Sequence, residues 1–110
     1  MADGTFLREV ICKWVYRFEF TQDIVRKLSK IIDSPHRAEA LNSLFSAIDR
    51  KDAHLVEPFL GGKNMFLARI LLGARDSASH IASSSVLKII VELDQSRNIY
   101  IVRAVDIVNQ

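Results

Sequence analysis

Ser85-Val-Leu-Lys88 has the Ser-x-x-Lys spacing of some acyl-transfer enzymes, and it is the part of this 110-residue chain that comes nearest to catalytic chemistry. A serine nucleophile served by lysine needs that lysine neutral, and therefore desolvated beside the hydroxyl. The surrounding "SASHIASSSVLKII", residues 77 to 90, keeps Ala78, Ala82, Val86, Ile89/Ile90 and Leu93 on one helical stripe. A helix with that stripe buried leaves Lys88 in water and protonated, and no glycine-rich oxyanion turn follows. The serines then serve close helix packing, and Ser77 or Ser79 caps the helix after Asp76.

His36, His54 and His80 are far apart and form no i, i+4 pair of the kind that binds zinc on a helix. Cys12 is the only cysteine, so neither an internal disulfide nor a cysteine zinc cluster is available. Its place in an apolar pattern predicts a small core residue. "GGK" at 61–63 lacks the rest of a phosphate-binding loop. The reading is therefore non-enzymatic, with no catalytic, cofactor-binding or metal-binding residue assigned.

Composition frames what remains. Apolar residues make up 49% of the chain and charged residues 25%, with a net charge of +2, which predicts one compact domain over residues 1–110. The chain reads as one helical-repeat-like domain or a fragment of a longer protein. No secretory signal is apparent at the N-terminus, and no apolar run reaches the roughly 20 residues that cross a bilayer. The expectation is a soluble intracellular protein, cytoplasmic or nuclear, without a membrane partner.

The elements that position these residues read as helices. Leu7, Ile11, Trp14 and Phe18 are spaced for an amphipathic helix over 5–18. Thr21 opens a second helix through Ile24, Leu28 and Ile31/Ile32. Ser34 is a good N-cap and Pro35 suits the first position of a third, with Ala38, Leu41, Leu44/Phe45 and Ile48 buried. Asp52 caps a short helix that Pro58 limits. "NMFLARILLGA" is apolar almost all round and predicts a central buried helix. "NIYIVRAVDIVNQ" is rich in β-branched residues, yet Ile101, Val105 and Val108 fit a helix, and with helices before it the segment is assigned to one.

Placing Ile24-Val25, Leu55-Val56 and Val86-Leu87 in register gives a 31-residue repeat, with Leu28, Phe59 and Ile90 aligned four residues later. From His80 onward, Ile81, Ser85-Val86-Leu87, Ile90, Leu93, Ser96, Asn98, Ala104 and Ile107-Val108-Asn109 resemble one armadillo repeat. That resemblance implies an armadillo-like or HEAT-like protein-binding solenoid, with Asn109 at the position where such repeats hold an extended peptide. Stacked helix pairs would share one continuous core.

The predicted fold is all-α, six or seven short helices stacked as a small armadillo-like solenoid or bundle. A six-helix interaction bundle of the death-fold kind is the alternative that needs no repeat. The predicted function is a non-catalytic adaptor or scaffold that binds another protein and self-associates as a homodimer. Its interface residues are the aromatic and apolar side chains left over at the two ends: Trp14, Tyr16, Phe18, Phe20, Ile99, Tyr100 and Val102, with Asn109. The runner-up is nucleic-acid binding through Arg8, Lys13, Arg17, Arg26, Lys27 and Lys30, although Glu9, Glu19 and Asp23 are interleaved with them. Ser77, two residues after Arg75, is a candidate phosphorylation site at a helix start.

Overall fold

The computed structural model describes residues 5–59, 62–72 and 85–109. Ser77 and His80, and most of the serine run, lie outside the described residues. Among the described residues three helices and five strands follow in the order α1 (Thr5–Trp14), β1 (Phe18–Glu19), α2 (Gln22–Ile31), α3 (Pro35–Arg50), β2 (Val56–Pro58), β3 (Met65–Leu72), β4 (Ser85–Asp94) and β5 (Ile99–Asn109). The architecture is a two-layer α/β fold, and this overturns the all-α solenoid, the armadillo resemblance and the death-fold bundle alike.

The helical layer stands close to where the sequence spacing puts it. Thr21 Oγ1 accepts a hydrogen bond from the Ile24 N–H at 3.3 Å, and Ser34 Oγ accepts one from Arg37 N–H at 3.2 Å. Each cap satisfies a backbone donor that has no partner inside its helix. Pro35, with no N–H to lose, starts α3. Lys51 closes α3 in the left-handed region at φ 56° and donates its N–H to the Ala47 and Ile48 carbonyls. The first helix stops at Trp14, short of Phe18, because Phe18 leaves the helix to pair as β1. Cys12 is exposed rather than buried. On α1 the buried positions are Leu7, Val10 and Trp14, and Cys12 is off that stripe.

The C-terminal half is sheet. The strand order is β1-β5-β4-β3-β2, antiparallel except where β1 runs parallel to β5. Strands β4 and β5 form a long hairpin whose turn is built by Asp94 and Asn98. Asp94 Oδ1 accepts from the Ser96 and Arg97 N–H groups at 3.1 and 3.3 Å and from the Ser96 hydroxyl at 2.7 Å. Asn98 takes φ 56°, a conformation asparagine tolerates better than most residues. "DQSRN" is thus a hairpin turn, where the repeat reading had a break between helices. The expected short helix after Asp52 is a turn leading into β2, and Pro58 sits on an edge strand, where a missing N–H does little harm.

Alternation along the strands sorts side chains onto two faces. Phe66, Ala68, Ile70 and Leu72 of β3, Leu87, Ile89, Val91 and Leu93 of β4, and Tyr100, Val102, Val105 and Ile107 of β5 belong to one core or pack against it. Leu28, Leu41, Leu44 and Phe45 supply the helical side of that core and are completely buried. Burying each of them contributes about 1.5–3 kcal/mol. A register shift between Ile90 and Val91, opposite Arg103, keeps both halves of β5 facing inward.

Candidate interaction surface

The residues singled out as leftover aromatics are the centre of the core. Trp14 is 7% exposed, and Phe18 and Tyr100 are 2% each. Phe18 packs on Phe45 at 4.6 Å between ring centroids, stacks on Tyr100 at 5.4 Å and meets Trp14 edge-on at 5.7 Å. Phe18 thus joins the two chain ends that the sequence left unpartnered, and Phe45 of α3 packs on Trp14, Phe18 and Phe20. Val102 is buried, and Phe20 and Ile99 are half-buried. Of the predicted interface aromatics only Tyr16 is exposed, at 68%, stacked on Trp14 at 6.1 Å. Burial removes Trp14, Phe18, Tyr100 and Val102 as anchors for a partner. Asn109 ends β5 opposite Ser85, so it occupies a strand and not the third helix of a repeat.

The basic residues divide among elements with different packing partners. Arg8 and Lys13 are exposed on α1, which packs on α3. Arg26, Lys27 and Lys30 are exposed on α2, which packs on β5, and Arg26 pairs with Asp23 at 3.3 Å. Arg17 is occupied in the structure. Its Nε donates to Asp49 Oδ1 at 2.6 Å and a terminal nitrogen to the Asn98 carbonyl at 3.0 Å. Ser85 and Lys88 are three apart on a strand, so they project from opposite faces of the sheet. His36 and His54 are exposed on separate elements.

The surface that sequence reasoning missed is the face of the sheet turned away from the helices. Cross-strand register stacks its side chains in rows across β3, β4 and β5. Leu71, Val86 and Val108 form one apolar row, in which Val86 is only 6% exposed, and the half-buried Leu67, Ile90 and Ala104 form a second. Between them runs a charged row of Arg69, Lys88 and Asp106. Beyond the second apolar row come Met65, Glu92 and Ile101, with Arg103 at the bulge. Leu71 is 60% exposed, one of the largest exposed apolar side chains among the described residues.

Charge on this face is balanced. Arg69 pairs with Glu57 at 3.6 Å, and Arg103 with Glu92 at 2.7 Å. Lys88 and Asp106 stand directly opposite on β4 and β5, yet neither makes an ion pair among the described residues. Three cations thus face three carboxylates, with one unit of each sign unused. The sequence signal was present: Leu67, Arg69 and Leu71 alternate with Ala68, Ile70 and Leu72, a strand period whose odd members are the open face.

At one end of the sheet Arg97 ties the hairpin turn to β1, reaching Glu19 at 3.0 Å and Asp94 at 2.8 Å. The Arg97 guanidinium, together with the Ser96 hydroxyl, lowers the Asp94 pKa to about 2. The same two carboxylates raise that of Arg97. The backbone N–H of His54 lowers that of Asp52. Among the described residues no helix is long and apolar enough to cross a membrane. Compared with known proteins, the chain matches no family model, no curated protein and no solved structure.

Proposed function

We propose that this domain is a non-catalytic interaction module that self-associates, sheet against sheet, through the open face of β3, β4 and β5. The observation that carries the reading is the banded face itself: two apolar rows flanking one charged row, with no helix over them among the described residues. Sheets pack face to face through such rows at about 10 Å separation.

A second copy is the occupant that the charges favour. A two-fold axis lying in the interface along β4 sets β3 of one copy over β5 of the other. Arg69 then faces Asp106 of the second copy, and Asp106 faces the second Arg69. The Leu71 and Val108 positions meet in the same way, as do Leu67 and Ala104. A twofold arrangement makes every such contact twice, which suits a closed dimer. The two Lys88 side chains near the axis are flanked by both Asp106 carboxylates, which offsets their repulsion.

Size sets the strength. Three strands about 4.8 Å apart and eight residues long make a face of roughly 14 by 26 Å. That is well under the ~800 Å² that each partner of a stable complex contributes. The dimer is therefore a weak one that forms at high protein concentration. Sedimentation equilibrium from low micromolar to millimolar protein tests it, with Leu71→Asp as the variant because Leu71 is exposed and its loss spares the core. A concentration-dependent dimer that Leu71→Asp abolishes is expected. A monomer throughout, or a dimer indifferent to Leu71→Asp, overturns the reading.

A further inference from the structure

A cleft of about 140 Å³ opens where the C-terminal end of α3 meets the β2–β3 ribbon. Ile48, Val56, Pro58 and Phe66 wall it, and Tyr100 also lines it. Tyr100 is only 2% exposed, and its hydroxyl has no hydrogen-bond partner among the described residues. Buried phenols ordinarily find one. No fully buried side-chain oxygen in the described residues lacks a partner, so the Tyr100 oxygen must touch open space, and Tyr100 is one of the residues that line this cleft.

Volume and charge limit what fits. An apolar cavity of ~150 Å³ accepts one benzene ring, so this cleft admits a single ring and little more. Lys51 and Glu57 also line it, one of each sign. Glu57 is already paired with Arg69, and the carbonyl end of α3 disfavours an added anion. The site therefore selects no net charge. Burial, the largest effect on Tyr100, raises its pKa above the ordinary 10.0 and keeps the phenol a neutral donor at physiological pH.

We propose that this cleft binds a small neutral one-ring compound carrying one hydrogen-bonding oxygen, a phenol or cyclic alcohol, with its ring against Ile48 and Phe66 and its oxygen at the Tyr100 hydroxyl. The pocket follows the common plan of an apolar body with one placed polar group. A ligand this small binds in the millimolar range.

Phenol, toluene and benzoate are the probes, titrated into the full chain and followed by heteronuclear NMR. Phenol is expected to move the Ile48, Ala53, Val56 and Phe66 signals along one saturable curve, binding several-fold more tightly than toluene and about tenfold more tightly than benzoate. Tyr100→Phe keeps the ring in the core and should erase the preference for phenol over toluene while leaving toluene bound. Ala53→Trp, at an exposed position on the cleft, should block both. Shifts that never saturate, or that are scattered over the surface, overturn the site. So does phenol binding that survives Ala53→Trp. A phenol preference that survives Tyr100→Phe overturns the assigned role of the hydroxyl.

Discussion

Arg17 Nε lies 2.6 Å from Asp49 Oδ1, joining the turn after α1 to the last turn of α3. The same guanidinium stands 5.7 Å from the centre of the Tyr100 ring and donates to the Asn98 carbonyl. One side chain therefore ties together the helical layer, the aromatic core and the β4–β5 hairpin. Asp49 and Arg17 are each partly exposed, so solvent screens the ion pair, and its net value is about 1 kcal/mol, with the carbonyl bond and ring contact adding a similar amount. Arg17→Met is expected to lower stability by about 1–2 kcal/mol in urea unfolding. A double-mutant cycle with Asp49→Ala should return a coupling of about 1 kcal/mol, and additive losses would count against the pair.

Trp14 Nε1 donates to Asn42 Oδ1 at 2.7 Å, the polar link between α1 and α3. Asn42→Leu removes the acceptor and strands a donor on a side chain only 7% exposed. The expected loss is about 1–3 kcal/mol. Adding Trp14→Phe removes the stranded donor as well, so the double variant should cost less than the two single losses combined. Thermal or chemical unfolding of the four proteins reads this directly. A strictly additive double variant would show that the bond does not couple the helices.

The helical half was legible because its signals are local. Thr21 and the Ser34-Pro35 pair mark helix starts by chemistry that needs no distant partner. The sheet half was misread because Val86 and Ile90, like Ile89 and Leu93, are four apart, a spacing that satisfies a 3.6-residue period and a two-residue period together. In β4 the deciding signal was composition: Val86, Ile89, Ile90 and Val91 are β-branched, as are Ile99, Ile101, Val102 and Val105 in β5. Assigning residues 65–72 and 85–94 to helices then removed the strands that β5 pairs with, so one misassignment enforced the next. Trp14, Phe18 and Tyr100 looked unpartnered for a related reason. Phe45 from α3 packs on Trp14 and Phe18, Phe18 stacks on Tyr100, and only the fold brings these rings together. The open face was invisible for as long as its rows were read along helices.

Asp94 supplies a pH test of the hairpin turn. Its pKa is lowered from the ordinary 3.8 to about 2, chiefly by the Arg97 side chain and then by the Ser96 hydroxyl. A carboxyl with a depressed folded-state pKa stabilises fully above its unfolded value and loses that contribution as pH falls through the folded one. The turn should hold at pH 4 and above and loosen between about 4 and 2. Carboxyl NMR titration of Asp94 is expected to show a midpoint near 2, and Arg97→Gln should move it up toward the ordinary value. An unchanged midpoint in Arg97→Gln would assign the shift to the turn backbone and Ser96 instead.

Arg69 and Asp106 provide the sharpest test of the sheet-to-sheet dimer, because the two-fold arrangement brings them together only between copies. Within one chain they lie on β3 and β5 with β4 between them, two strand spacings or about 10 Å apart. Arg69→Asp places carboxylate against carboxylate twice per dimer and should weaken association by tenfold or more, with little change in monomer stability. Asp106→Arg alone should do the same with opposite charges. The double exchange, Arg69→Asp with Asp106→Arg, restores opposite signs across the axis and should recover most of the affinity, read by the same sedimentation measurement. In 1 M salt the single variants should approach the wild type, because the Debye length there is about 3 Å. Recovery in the double exchange is a result that loss of fold or a general change in net charge cannot produce. If the double variant is as weak as the singles, the two residues do not meet, and the two-fold axis along β4 is wrong.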